Sequence, residues 1–177
     1  MICVTAKVLA GHELSSDPAT RMFQESTGRD TLWLRKDEHA AIARGELPQS
    51  VKTRLARYTL LDFSRGEPAF WKPEDVREFE LTLKDGVLTG RARLENAGKT
   101  CGFAPELRGA VETKDGKVTR FDLVAKGEAY GHSGTTAEAA PKGKFTLAVA
   151  YRLAPGTDEA DKVTPQGAKA WFPDYMR

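Results

Sequence analysis

Glu128, Tyr130 and His132 occupy alternate positions in "GEAYGH", residues 127–132. On an extended chain all three point to one side. A carboxylate, a phenol and an imidazole held together could ligate a metal or relay a proton. Arg120, Asp122 and Lys126 share that side. Water solvates a sheet face of such composition, so the three residues equally suit a plain exterior. His12 and His39 are the other imidazoles. No two histidines stand at a ligand spacing such as i,i+4, and neither HExxH nor CxxC occurs.

Nucleophilic and phosphate chemistry find less. "GHSG" at 131–134 is not the G-x-S-x-G of a nucleophile elbow, and no strand-to-helix turn is evident there. Cys101 falls in an expected strand with no histidine near it in sequence, which suits a structural thiol. Cys3 and Cys101 allow one disulfide at most and read more simply as two reduced thiols. The glycines sit in turns and strands, so no glycine-rich phosphate loop is present. No cofactor follows from these residues.

A second group points to binding. Trp71 lies in a loop between "EPAF" and "KPED", where it could plug the end of a curved sheet or line a ligand mouth. Phe79, Leu81, Phe121 and Tyr151 fall on the inward side of the strands that follow, and with Trp71 they form the expected ligand-binding set. Gly90, Ala92, Gly109, Ala125 and Gly127 share that side. Their small size either permits tight curvature or leaves room for a ligand.

The elements that position these residues are mostly strands. "REFELTLKDGVLTGRARLE" alternates, and a two-residue turn at Asp85-Gly86 pairs Leu83 with Leu88, Leu81 with Gly90 and Phe79 with Ala92. "KDGKVTR" (114–120) repeats the turn chemistry of "KDGVLTG" (84–90). A two-residue turn there mixes faces. A three-residue loop, Lys114-Asp115-Gly116, sets Val111 against Thr119, Gly109 against Phe121 and Leu107 against Leu123. No third copy exists, so the resemblance is hairpin chemistry and not a repeat. "RYTLLDFS" reads as an earlier strand, Pro105 marks an edge or a bulge, and "NAGK" (96–99) makes a turn. "KFTLAVAYRLA" is the cleanest strand.

Before residue 57 the pattern is mixed. Asp17 caps a helix opening on Pro18, "TLWLR" is a short strand, residues 36–45 form a helix stopped by Gly45, and Pro48 opens another. Residues 131–144 form a long small-residue loop. The expected fold is mainly β (α+β): about six strands of antiparallel meander, curled into a barrel or a strongly curved sheet, with short N-terminal helices. The chain is expected to be one domain. Its N-terminal part is 1–56 and its β body 57–154, and the tail at 155–177 is docked by Trp171, Phe172 and Tyr175.

Composition limits partners. The 27 basic and 25 acidic residues leave a net charge of +2, and no run of five like charges marks a nucleic-acid arm or a polybasic anchor. No apolar stretch is long enough to span a membrane. "MICVTAKVLAG" lacks a charged leader and makes a poor signal peptide, so the expectation is a soluble protein kept inside the cell, or exported by a signal outside this sequence. One asparagine and two isoleucines fit a GC-rich bacterial genome. The first expectation of function is a module binding a small, largely apolar ligand. The second is a metal-dependent enzyme or metal-binding protein through Glu128, Tyr130 and His132, and the third a structural or protein-interaction domain. Oligomeric state is left open.

Overall fold

The computed structural model describes residues 1–11, 13–131 and 139–176 and shows a seven-stranded antiparallel sheet in the order β2-β1-β7-β6-β5-β4-β3. The strands are β1 Ile2–Ala10, β2 Gly28–Leu32, β3 Val76–Lys84, β4 Val87–Glu95, β5 Gly102–Lys114, β6 Lys117–Tyr130 and β7 Lys144–Leu153. The sheet is curved, but β2 and β3 remain separate edges, so no barrel closes. His12, His132, the side chain of Trp171 and residues 132–138 of the expected loop lie outside the described residues.

One sheet face is covered. Ile2, Val4, Ala6 and Val8 of β1 alternate into the same core as Phe145, Leu147, Val149 and Tyr151 of β7 and Phe121, Leu123 and Ala125 of β6. α1 Pro18–Glu25 buries no residue, and the cover is formed by α2 Lys36–Ala43, α3 Gln49–Arg54 and, in the tail, α4 Gln166–Tyr175. Ile42, Val51, Leu55 and Tyr58 bring the cover into that core, and α2 lies against β6. Local chemistry starts these helices where expected. The Asp17 carboxylate accepts from the Thr20 N–H at 2.8 Å with Pro18 next in line, and Pro48 precedes α3.

Five strands, not six, lie beyond residue 57, because "RYTLLDFS" is not a strand. Leu55–Thr59 continues α3 as a π-helical turn, closed by the Leu60 N–H on the Leu55 carbonyl at 3.2 Å. Residues 54–56 and 58–61 are all buried, so no solvent face exists for a period of two to mark. The seventh strand comes instead from the N-terminus. There "ICVTAKVLA" carries the required alternation and fills the gap between β2 and β7. The short strand expected at 31–35 lies earlier, at Gly28–Leu32.

The hairpin of β3 and β4 has the expected register: Leu83 opposite Leu88, Leu81 opposite Gly90, Phe79 opposite Ala92, with Asp85 and Gly86 at φ 51° and 78°. The hairpin of β5 and β6 differs from expectation. Its turn also has two residues, Asp115 and Gly116, at φ 52° and 71°. A bulge at Thr119 then shifts the ladder, so Val111 faces Phe121, Gly109 faces Leu123 and Leu107 faces Ala125. An extra residue in the strand restores the faces as a longer loop would have done.

Pro105 is neither at an edge nor in that bulge. It sits in interior β5, where direct pairing to β4 lapses between Arg91–Glu106 and Leu94–Phe103, so its missing N–H interrupts little. Gly90, Gly109 and Gly127 sit where neighbouring strands come close. A Cβ at these positions would lie 2.0 Å from the Glu80 carbonyl oxygen, 2.1 Å from that of Asp122 and 2.1 Å from that of Ala104. Neighbouring backbone already fills the place of a side chain, so the glycines allow the bend.

Candidate functional site

Trp71 is anchored by three hydrogen bonds in the long connection between the π-helical turn and β3. Its indole N–H donates to the Leu60 carbonyl at 2.8 Å and its backbone N–H to the Arg57 carbonyl at 3.1 Å. The Arg57 Nε returns a bond to the Trp71 carbonyl, also at 3.1 Å. Phe70 packs edge-on to Tyr58 with ring centres 5.3 Å apart. A short 3-10 turn, Pro73–Asp75, closes the loop, with the Lys72 N–H on the Asp75 carboxylate at 3.0 Å.

Facing this loop is the turn between β4 and β5. Asn96, the chain's one asparagine, holds it: its Oδ1 accepts from the Thr100 and Cys101 N–H groups at 2.9 and 3.3 Å, and its Nδ2 donates to the Thr100 hydroxyl at 2.8 Å. Loop and turn enclose a hollow of about 330 Å³ lined by Phe70, Trp71, Lys72, Asp75, Asn96 and Cys101, among others. Behind Trp71 and Cys101 lies a second space of only about 20 Å³, walled by Leu60, Phe103, Phe145 and Leu147. That is room for about one water molecule, so the inner face there is closely filled and the usable space is at the mouth.

Of the expected ligand-binding set, Trp71 lines this hollow. Leu81, Phe121 and Tyr151 are buried in the core cluster, and Phe79 is half-buried on β3. None of those four lines the mouth. Tyr151 shares a 2.9 Å hydrogen bond with the Thr59 hydroxyl, joining sheet to cover, and burial pushes its phenol far up.

In the second expected set, the Glu128 carboxylate meets the Lys144 ammonium at 2.6 Å and the Tyr130 hydroxyl donates to Glu95 at 2.9 Å. His132 is outside the described residues. Among the described residues no three His, Cys, Asp or Glu side chains are placed to hold one metal ion.

The structure also forms a cleft of about 320 Å³ that local patterns do not announce. Its walls come from β1, β2, β7 and the tail, and include Cys3, Arg29, Asp30, Arg152 and Asp161. The Cys3 thiol donates to the Asp161 carboxylate at 3.1 Å, and burial and then that carboxylate push the thiol pKa up. Asp30 accepts from the Thr31 and Gln166 N–H groups at 2.8 and 3.0 Å, while burial raises its pKa.

Both cysteines are free. Burial, then the Asp62 charge, push Cys101 up to about 11. Against an ordinary thiol near 9, two units leave about a hundredfold less thiolate at pH 8. In Cys3→Ser protein, alkylation of Cys101 by iodoacetamide at pH 8 is therefore expected to run about a hundredfold slower than that of a free thiol and to rise until about pH 11. A rate equal to that of free cysteine would show an open thiolate and remove the wall from the hollow.

Among family models, curated proteins and solved structures, none matches this chain.

Proposed function

We propose that this protein is a binding module for a small, largely apolar molecule, seated at the mouth between residues 69–75 and 96–101. The hollow of about 330 Å³ carries this reading. It exceeds the volume of about 300 Å³ at which ligand sites begin, and aromatic and methyl surface is mixed there with a few polar groups, as such sites require. Half-buried Phe70 offers ring surface, Trp71 backs the hollow at 5% exposure, and Ala69 and Ala97 offer methyls. Lys72 and Glu74, exposed at the rim, supply charge for a polar edge of the ligand, with Asp75 buried beneath them. Trp71 is fixed by three backbone hydrogen bonds, so little ordering is left to oppose binding.

The test is a set of single-ring aromatic acids and amines added to 15N-labelled protein. Shifts are expected in residues 69–75 and 96–101, with dissociation constants in the range of about 0.1–1 mM for such small probes. Ala97→Phe, an exposed position on the rim, should fill the hollow and weaken binding by about tenfold or more while leaving the rest of the spectrum in place. Probes that shift no residue of either segment at 10 mM would overturn the proposal, as would binding that Ala97→Phe leaves unchanged.

A further inference from the structure

β3 is an edge strand of nine residues with only β4 beside it. The two-residue loop closes on a hydrogen-bonded Lys84–Val87 pair, so Thr82 and Glu80 also direct their backbone groups to β4. Phe79, Leu81 and Leu83 then direct theirs away from the sheet. Among the described residues, no backbone hydrogen bond from another segment reaches this outer side. Val76, Phe79 and Leu83 pack on the core yet stay half-buried. A long edge with open backbone groups and half-covered apolar side chains is a template for another strand.

The side chains specify which strand. In an antiparallel pair, residues directly opposite share a face. Place a second β3 against the first with the two-fold axis at Leu81. Glu78 then faces Lys84 of the other copy, Lys84 faces its Glu78, and Arg77 comes level with its Asp85. On the inner face half-buried Phe79 meets Leu83 and Leu83 meets Phe79, while Leu81, already buried in its own core, lies level with its copy. The residues whose backbone groups point outward are the ones this register pairs.

Shifting the axis to Glu80 sets Glu80 against Glu80 and Arg77 against Leu83. Shifting it to Thr82 sets Phe79 against Asp85 in the turn. Of these registers, only the axis at Leu81 sets opposite charges level and every apolar residue from 79 to 83 against an apolar one, with Glu80 opposite Thr82. Glu78 has capacity for a second cation, because Arg91 meets its Oε1 at 2.5 Å and a carboxylate has two oxygens. We infer that two copies of this chain pair through β3, antiparallel about Leu81, to form one continuous fourteen-stranded sheet.

Sedimentation velocity from about 10 to 200 µM should show a monomer–dimer equilibrium. Lys84→Glu places two carboxylates opposite each other at both ends of the pairing and should weaken dimerisation by about tenfold or more, less so in 1 M salt. Lys84 is exposed, so the variant is expected to fold, with circular dichroism as the control. In a mixed sample of differently labelled copies, intermolecular contacts are expected between the Phe79 ring and the Leu83 methyls. A monomer at 200 µM overturns the inference. So does a dimer that is indifferent to Lys84→Glu and lacks the Phe79–Leu83 contact.

Discussion

Glu38→Ala is expected to destabilise the folded chain by about 3–5 kcal/mol, because it leaves a buried guanidinium without its counter-charge. Arg54 is 1% exposed, and its Nη2 bonds the Glu38 carboxylate inside the helical cover. Glu38 also accepts from the Ser50 hydroxyl at 2.5 Å and the Arg35 N–H at 2.8 Å. The rest of Arg54 is thinly satisfied: its Nη1 reaches the Tyr175 carbonyl at 3.5 Å, and among the described residues its Nε has no hydrogen-bond partner. The pair holds α2 to α3, and through Tyr175 it holds α4, whose phenol accepts from the Trp33 N–H at 3.2 Å.

Urea unfolding measures the loss. Removing both charges together, as in Glu38→Leu with Arg54→Met, should recover most of it, since the penalty comes from the orphaned charge. A Glu38→Ala loss below about 1 kcal/mol would mean that water reaches Arg54.

The same pair sets an acid limit. Burial alone raises the Glu38 pKa, but the bonds from Arg54, Ser50 and Arg35 outweigh it and hold the carboxyl below its ordinary value. A carboxyl whose folded pKa is depressed adds stability that is fully present above its unfolded pKa, about 4.3. That contribution disappears as pH falls through the folded value. Between pH 7 and 5 it is constant, and below about pH 4.3 wild-type stability should fall more steeply than that of Glu38→Leu/Arg54→Met.

What the sequence disclosed follows how local each cause is. The register of β3 and β4 was legible because Asp85-Gly86 and the alternation on either side demand the same pairing. In β6, Val118 and Phe121 both face the core three residues apart, which is the mark of a bulge. A strict period of two hides it. The alternation of Ile2, Val4, Ala6 and Val8 was also present, but one short apolar segment suits a leader and an interior strand alike. Residues 57–64 misled because Tyr58, Thr59, Leu60, Leu61 and Phe63, all buried, resemble a strand in composition alone. Trp71 and Asn96 were visible as a loop aromatic and a turn residue. That they face each other across a hollow depends on how far the sheet bends. The Glu38–Arg54 pair joins two separate helices, and no periodicity within either one connects them.

The bend has its own test. Gly109→Ala is expected to destabilise by about 3 kcal/mol, the upper end for an overpacked core, because the obstruction is backbone and cannot swing aside. The new methyl would lie 2.1 Å from the Asp122 carbonyl oxygen and 2.8 Å from the Leu123 Cα, so β5 and β6 must part at the Gly109–Leu123 pair. Gly116 is the control. It lies in the turn at φ 71° with nothing within 4 Å of an added Cβ, so alanine there incurs only the left-handed penalty of about 1–2 kcal/mol.

The two losses should therefore differ in size, and also in their reach. β5 begins at Gly102, directly after the Cys101 wall of the hollow. A β5 displaced at Gly109 should disturb the amide shifts of residues 96–101, at and beyond the start of the same strand, whereas Gly116→Ala should leave them in place. If Gly116→Ala proves as damaging as Gly109→Ala, close strand approach does not shape this sheet, and the mouth beside Trp71 owes its form to the loops alone.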